Sequence, residues 1–120
     1  MANPLPKTTY IGTIGELFVQ LRLLEYDIQA APPIKDSGND LIAIKGEVVK
    51  FVQVKTSINH IPRLDNLPGI YHIVMLVELK YDEHGALLFD QSKIFAVKKD
   101  EKRDSKQELT RKVANALWSE

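Results

Sequence analysis

The sequence contains no cysteine, and this absence excludes disulfides and thiolate metal sites. Its apolar runs are short, far below the roughly 18 consecutive residues that a membrane-spanning helix needs. The first residues, MANPLPKTTY, lack the apolar segment of a secretory signal peptide. We therefore expect a cytoplasmic protein that makes no contact with a membrane.

An excess of charge of either sign is also missing, because 16 basic residues balance 16 acidic ones. This balance argues against a protein that coats nucleic acid by charge alone. Residues 93–112 nevertheless carry eight basic side chains against four acidic ones. A solvated helix and loop explain this local surplus most simply, and a surface that contacts phosphates is the second interpretation.

The chain has 120 residues, of which 44% are apolar and 27% charged, and we predict a single domain over residues 1–120. The first predicted helix spans residues 13–27, with Thr13 and Glu16 as a capping box. A second side of this helix, with Val19 and Leu23, is expected to contact another layer or to line a cleft. The side chains predicted to face the core at helical spacing are Ile14, Leu17, Phe18, Leu21 and Leu24.

Two β-rich runs, 40–44 and 48–55, flank the letters KGE, which indicate a hairpin. The segment YHIVMLVEL, residues 71–79, is too continuously apolar for a sheet edge and is predicted to lie in the interior. One or two short strands follow, and Ser105 with Glu108 predicts a capping box that opens a last helix. The predicted fold class is α/β, with a central mixed sheet containing the hairpin, flanked by an N-terminal and a C-terminal helix.

The predicted hairpin brings three polar residues together. Side chains alternate between the faces of a strand, so Gln53 and Lys55 share one face. A two-residue turn at Gly46 and Glu47 would set Asp40 across from Gln53, with Cβ atoms roughly 4.5 to 5.5 Å apart. The carboxylate and the amide oxygen could then share one hard cation. A one-residue slip of the register would exchange the faces and destroy this arrangement.

A cation beside an ammonium group suits phosphodiester cleavage. A metal lowers the pKa of a bound water and offsets charge on the attacked phosphate. A nearby Lys orients the nucleophile and stabilises the transition state. The hairpin residues therefore indicate a site for hydrolysis of a phosphodiester.

The same residues resemble the motif of the PD-(D/E)XK nuclease superfamily, which includes restriction endonucleases, archaeal Holliday-junction resolvases and some homing endonucleases. That motif has a Glu in an early helix, an Asp at the start of one hairpin strand and an acid-X-Lys in the next. Here GELF contains Glu16, SGNDLIAI contains Asp40, and FVQVKTS contains Gln53 and Lys55. The resemblance covers residues 12–57 and implies a restriction endonuclease-like core.

The resemblance implies a role for each residue. Asp40 would be the central ligand of Mg²⁺ or Mn²⁺, and Lys55 the catalytic lysine. Gln53 and the carbonyl of Val54 would complete the metal sphere, and Glu16 would bind a metal directly or through water. Gln53 stands where the family usually has an acid, so the site has one negative charge fewer, which weakens cation binding and disfavours a second metal.

Each residue also has a purely structural interpretation when taken alone. Glu16 would complete the cap of Thr13, Asp40 would end a loop, and Lys55 would belong to a solvated strand edge. Gln53 and Lys55 together are harder to explain in this way, because an amide and an ammonium in a Val-rich strand need partners.

The expected function is that of a magnesium-dependent DNA endonuclease, with catalytic residues Asp40, Gln53, Lys55 and Glu16. DNA is the expected substrate, and a homo-oligomer, dimer or tetramer, is expected because so small a chain reads little sequence alone. The alternative is a catalytically inactive protein of the same fold that serves as a DNA- or protein-binding module or as an accessory subunit.

Overall fold

In the part of the chain that the structure describes, six strands form one sheet, and their spatial order is their order along the chain. The computed structural model describes residues 7–34 and 40–119. Strands β3 and β4 are parallel, and every other neighbouring pair is antiparallel. This mixed sheet with its flanking helices confirms the predicted fold class. The elements are α1 (Lys7–Glu25), β1 (Gln29–Ala31), β2 (Leu41–Lys45), β3 (Val48–Ile58), β4 (Ile73–Leu79), β5 (Lys93–Lys98), β6 (Gln107–Glu108) and α2 (Arg111–Leu117).

The two faces of the sheet are covered differently. On one face, here called the helix face, α1 and α2 pack over the larger apolar core, which includes Val52, Val54 and Met75. The opposite face, here called the loop face, has a smaller core of Val74, Leu76 and Val97, covered by residues of the loop 59–72. Strand β4 is buried on both faces, as its continuous apolar sequence predicts. In the described ranges, no helix combines the length and apolarity needed to cross a membrane.

Helix α1 already includes Lys7, six residues before the predicted start. Thr13 is therefore mid-helix, where its Oγ1 donates to the Thr9 carbonyl at 2.9 Å, and the predicted capping box of Thr13 and Glu16 is wrong. The end of α1 is a Schellman motif, in which Asp27 has a φ of 66° and Ile28 N–H donates to the Leu23 carbonyl at 2.9 Å.

The apolar side of α1 is rotated from the predicted one. Gly15, Phe18, Val19 and Leu23 are buried, which corresponds mainly to the second side of the predicted helix. Ile14 is partly buried against the same core. The prediction is wrong for the other three residues, since Leu17, Leu21 and Leu24 are 58%, 59% and 60% exposed.

This rotation follows from a very close contact between α1 and β3. A Cβ atom placed on Gly15 would lie 1.9 Å from Oγ1 of Thr56 and 2.9 Å from its Cβ. Only a residue without a side chain allows the helix backbone to approach the strand so closely. The contact at Gly15 therefore decides which side of α1 faces the sheet.

The last helix is shorter than predicted, because Ser105 and Glu108 do not open it. Glu108 belongs to β6 and pairs with Phe95 of β5. Thr110 is the N-cap of α2, and its side chain accepts a hydrogen bond from Val113 N–H at 3.3 Å. Trp118 then connects the end of α2 to the hairpin, since its Nε1–H donates to the Ala43 carbonyl at 3.2 Å.

The contact at Gly15 predicts opposite effects for two glycines of one helix. Gly15→Ala should lower the free energy of unfolding by about 1–3 kcal/mol, because overpacking at Thr56 outweighs the better helix propensity of Ala. Gly12→Ala, the matched control, should raise it by up to about 1 kcal/mol, because apart from neighbouring residues of its own helix no atom of the described chain lies within 4 Å of its added Cβ. Urea denaturation measures both variants, and equal stability would contradict the close approach.

Candidate functional site

The β2–β3 hairpin has the predicted turn and register. Lys45 pairs with Val48 and Leu41 with Val52, so Gly46 and Glu47 form a two-residue turn. Gly46 has a φ of 61°, in the left-handed region that glycine adopts without strain. The ladder ends at the pair of Leu41 and Val52.

Asp40 lies just beyond this ladder rather than in a regular pair with Gln53. Its N–H donates to the Val52 carbonyl at 3.1 Å, one position out of the register of the ladder. Its Oδ2 accepts a hydrogen bond from Val54 N–H at 2.8 Å. Asp40 therefore bonds to the residues on both sides of Gln53, and its carboxylate lies at the edge of β3 where the β2 ladder has ended.

Gln53 and Lys55 both belong to the loop face of β3. Their neighbours in β4 are Val74 and Leu76, the buried residues of the smaller core. Oε1 of Gln53 is buried and accepts no hydrogen bond from the part of the chain that the structure describes. A buried amide oxygen of this kind calls for an external partner, a water or a cation. Within the described ranges Lys55 has no ion-pair partner.

Glu16 belongs to α1, which covers the helix face, and it follows directly after the contact at Gly15. The pKa of its carboxyl group is raised, first by burial and second by repulsion from Asp40. Glu16 and Asp40 are therefore close enough to repel each other. Because the cap of Thr13 does not exist, the structural explanation of Glu16 as a capping residue fails.

The oxygen atoms at the end of the β2–β3 ladder are of the kind that suits a hard divalent cation. Asp40 at the edge of β3 and Glu16 on the helix face are carboxylates, and Gln53 belongs to the loop face, where its amide oxygen has no donor among the described residues. Carboxylate, amide and carbonyl oxygens are the ligands that Mg²⁺ and Mn²⁺ prefer. Among the described residues, no three His, Cys, Asp or Glu side chains form a group that could hold a metal. The fit therefore depends on the amide of Gln53 as the third side-chain ligand.

The loop 59–72 and the residues packed on it were missed by the sequence-based site prediction. Arg103 donates to the Ile61 and Pro62 carbonyls, each at 3.0 Å, and so ties this loop to the segment before β6. His72, at the end of the loop, accepts a hydrogen bond from Phe51 N–H at 2.8 Å through Nδ1. The only signal in the sequence was the surplus of basic residues between 93 and 112.

Comparison with solved structures finds the fold in another protein. The chain is similar to the bacterial homing endonuclease I-Ssp6803I, with 15% sequence identity and a TM-score of 0.55. The aligned region covers 88% of this chain and 79% of that one. No protein-family model matches the sequence, and no curated protein matches it. At this identity, the likeness establishes a shared fold.

The raised pKa of Glu16, caused first by burial and second by repulsion from Asp40, predicts how stability depends on pH. A carboxyl group whose pKa is raised by folding binds its proton more tightly in the folded state. The protonated group therefore contributes stability at low pH. This contribution is lost as the pH rises from 4.5, the ordinary pKa of a Glu carboxyl group, through the raised pKa of Glu16. Glu16→Gln should therefore stabilise the protein modestly at neutral pH in EDTA and give no gain below about pH 4.

The unfolding temperatures of the parent and Glu16→Gln, measured from below about pH 4 to neutral pH, test this prediction. Glu47→Gln removes the same charge from the exposed hairpin turn and is the matched control. Equal unfolding temperatures for the parent and Glu16→Gln at neutral pH would show that neither burial nor Asp40 penalises the charge of Glu16.

Proposed function

We propose that this protein is a DNA endonuclease of the PD-(D/E)XK type that depends on Mg²⁺ or Mn²⁺. The observation that carries the proposal is the buried Oε1 of Gln53, which has no donor among the described residues. Gln53 lies between Val52 and Val54, the two residues that form hydrogen bonds with Asp40. Its side chain belongs to the face of the sheet that also carries Lys55. The fold shared with a homing endonuclease supports the same conclusion.

Asp40, Gln53 and Glu16 would hold the cation, with the Val54 carbonyl as a further ligand. The Val54 N–H already bonds to Asp40, and in a strand the N–H and C=O of one residue point to the same edge. When bound, the cation would supply Lewis-acid activation of the phosphate and of a water molecule. Its positive charge would also relieve the repulsion between Glu16 and Asp40.

Lys55 supplies the ammonium group of the proposed mechanism. Its Nζ is not engaged by a carboxylate of the described chain, so it is available to a phosphate oxygen and to the attacking water. A positive charge at this position offsets the negative charge that develops on the phosphate in the transition state. It also orients the attacking water toward the phosphorus atom. Lys55 lies in β3 beyond the end of the β2 ladder and pairs with Leu76 of β4, and this pairing limits reorganisation of the backbone during the reaction.

A homo-oligomer would use the exposed leucines of α1. Leu17, Leu21 and Leu24 give this helix an apolar outer side, and Ile44 of β2 is also exposed. Segment 71–79 offers no such surface, because β4 within it is buried in the sheet. The exposed apolar side of α1 suits a second copy or another protein partner.

The second candidate function is a binding module or accessory subunit without catalysis. Gln53 in place of an acid favours it, as does the lack of three acidic or histidine ligands in the described residues. Such a protein would keep the fold and the surface that contacts DNA or protein. Cation binding separates the two functions.

Calorimetric titration with Mn²⁺ tests the proposed metal site. The parent should bind the ion, and Asp40→Ala should abolish binding. Gln53→Glu should tighten binding about tenfold, which corresponds to about 1.4 kcal/mol from the restored charge. Weaker binding in Gln53→Glu would show that amide geometry matters more than charge, and a parent that binds no Mn²⁺ would favour the binding module.

Cleavage of supercoiled DNA in Mg²⁺ tests the role of Lys55. Lys55→Ala should lower the cleavage rate about a hundredfold or more, the usual effect of removing one group that stabilises a transition state. Mn²⁺ binding should stay nearly intact. The control is Lys50→Ala, in the same strand but on the helix face, which should cleave at the parental rate. Equal rates in Lys55→Ala and the parent would remove Lys55 from the mechanism.

A further inference from the structure

A basic groove lies on the loop face, at the far end of β3 from the hairpin turn. It encloses about 840 Å³ between the loop 59–72 and the segment that precedes β6. Its charged lining consists of Arg63, Lys102 and Arg103 against one acid, Asp65, and His60 adds an imidazole. Within the described chain, none of these cations forms an ion pair. With three cations against one acid in its lining, the groove carries a surplus of positive charge.

The loop that forms this groove is fixed at both ends. At its start, Asn59 N–H donates to the Leu79 carbonyl at 2.8 Å, and Asn59 Oδ1 accepts from Tyr81 N–H at 2.9 Å. At its end, His72 N–H donates to the Phe51 carbonyl at 2.8 Å. The groove is therefore built into the fold and needs little ordering when a ligand binds.

The middle of the loop is held in two ways. Arg103 donates to two of its carbonyls, those of Ile61 and Pro62, and its guanidinium still contributes charge to the groove. Ile61 and Leu64 pack on the smaller apolar core under the loop. Arg63 lies between Pro62 and Leu64, which are held in these two ways, and lines the groove together with Lys102.

The groove continues the surface that carries the proposed site. Gln53 and Lys55 share the loop face, and the loop begins at Asn59, directly after β3 ends at Ile58. Lys55 and Ile58 are about 10 Å apart along the strand, at roughly 3.3 Å per residue. One strand of B-DNA carries a phosphate about every 3.4 Å of helix axis, so this distance corresponds to about three phosphates.

We propose that the basic groove binds the sugar-phosphate backbone of duplex DNA, a few nucleotides from the phosphate at Lys55. This inference rests on the proposed function and names the surface that positions its substrate. Arg63 and Lys102 contact phosphates, while Arg103 acts as a positioning residue that holds the loop. Contacts of this kind set affinity and register and carry no sequence information.

A second basic cluster is the alternative surface on which DNA could bind. Lys50, Lys98 and Lys99 line a cavity of about 340 Å³ near the end of α2. Lys50 pairs with Ala43 and Lys98 with Ile73, two residues of the larger core, so both lysines belong to the helix face. A duplex engaged at Lys55 on the loop face would leave these lysines free.

The test compares two double variants that lose the same charge. Arg63→Gln with Lys102→Gln removes two cations from the groove, and Lys50→Gln with Lys98→Gln removes two from the helix face. Binding of a fluorescent duplex is measured by anisotropy in EDTA over a series of KCl concentrations. Each lost phosphate contact should reduce the slope of log K against log salt by about 0.9, so the groove variant should lose about 1.8.

The expected result is a reduced slope and weaker binding in the groove variant, with parental values in the control variant. Equal losses in both variants, a loss in the control alone, or no binding by the parent would each overturn the proposal. Circular dichroism and urea denaturation of both variants exclude unfolding as the cause of a loss.

Cleavage in Mg²⁺ is assayed separately, so the two proposals fail in different ways. A parent that binds duplex through the groove without cleaving it would refute the nuclease and retain the groove. Cleavage at the parental rate by both double variants, with unchanged salt slopes, would refute the groove and retain the nuclease.

Discussion

The site depends on how closely α1 approaches β3. At Gly15 the helix backbone reaches Thr56 without an intervening side chain, and no larger residue would leave room. Glu16 follows Gly15 in the chain, so the contact that sets the rotation of the helix also sets the position of this carboxylate. The raised pKa of Glu16 reflects both consequences, its partial burial and its closeness to Asp40. A packing constraint and an electrostatic one are therefore linked through two adjacent residues.

Asp40 depends on a second constraint, the end of the β2–β3 ladder. Up to Leu41 the two strands pair regularly, and at Asp40 the chain leaves the register while keeping one backbone bond to Val52. This departure frees the carboxylate to bond with Val54 N–H in place of a backbone carbonyl. The edge of β3 is thereby given a charged group where a continued strand would have offered only backbone atoms.

The sequence predicted the hairpin well because a two-residue turn leaves little freedom. Gly46 supplies the positive φ that such a turn requires, and the register then follows for every pair up to Leu41. The interior position of β4 was predictable for a related reason, since a strand without polar alternation must be covered on both faces. The departure of Asp40 from the ladder has no comparable signal, because it depends on which backbone donors the neighbouring strand leaves open.

The rotation of α1 was not predictable from apolar periodicity. Leu17, Leu21 and Leu24 form a regular apolar series, yet the buried side is centred on Gly15 and Val19. Glycine contributes nothing to a hydrophobic pattern, although here it marks the closest contact of the helix. The basic groove was not predictable for another reason: Arg63 and Lys102 lie far apart in sequence, and they line one groove where Arg103 ties the loop to the segment before β6.

The bond between Trp118 and the Ala43 carbonyl gives the molecule a built-in optical probe. Trp118 is the sole tryptophan of the sequence and is only 2% exposed. Its indole contacts the strand that begins directly after Asp40, so its emission wavelength reports whether the C-terminal helix is docked on the hairpin. Release of that helix into water would shift the emission to the red, and the integrity of the hairpin can be followed without any label.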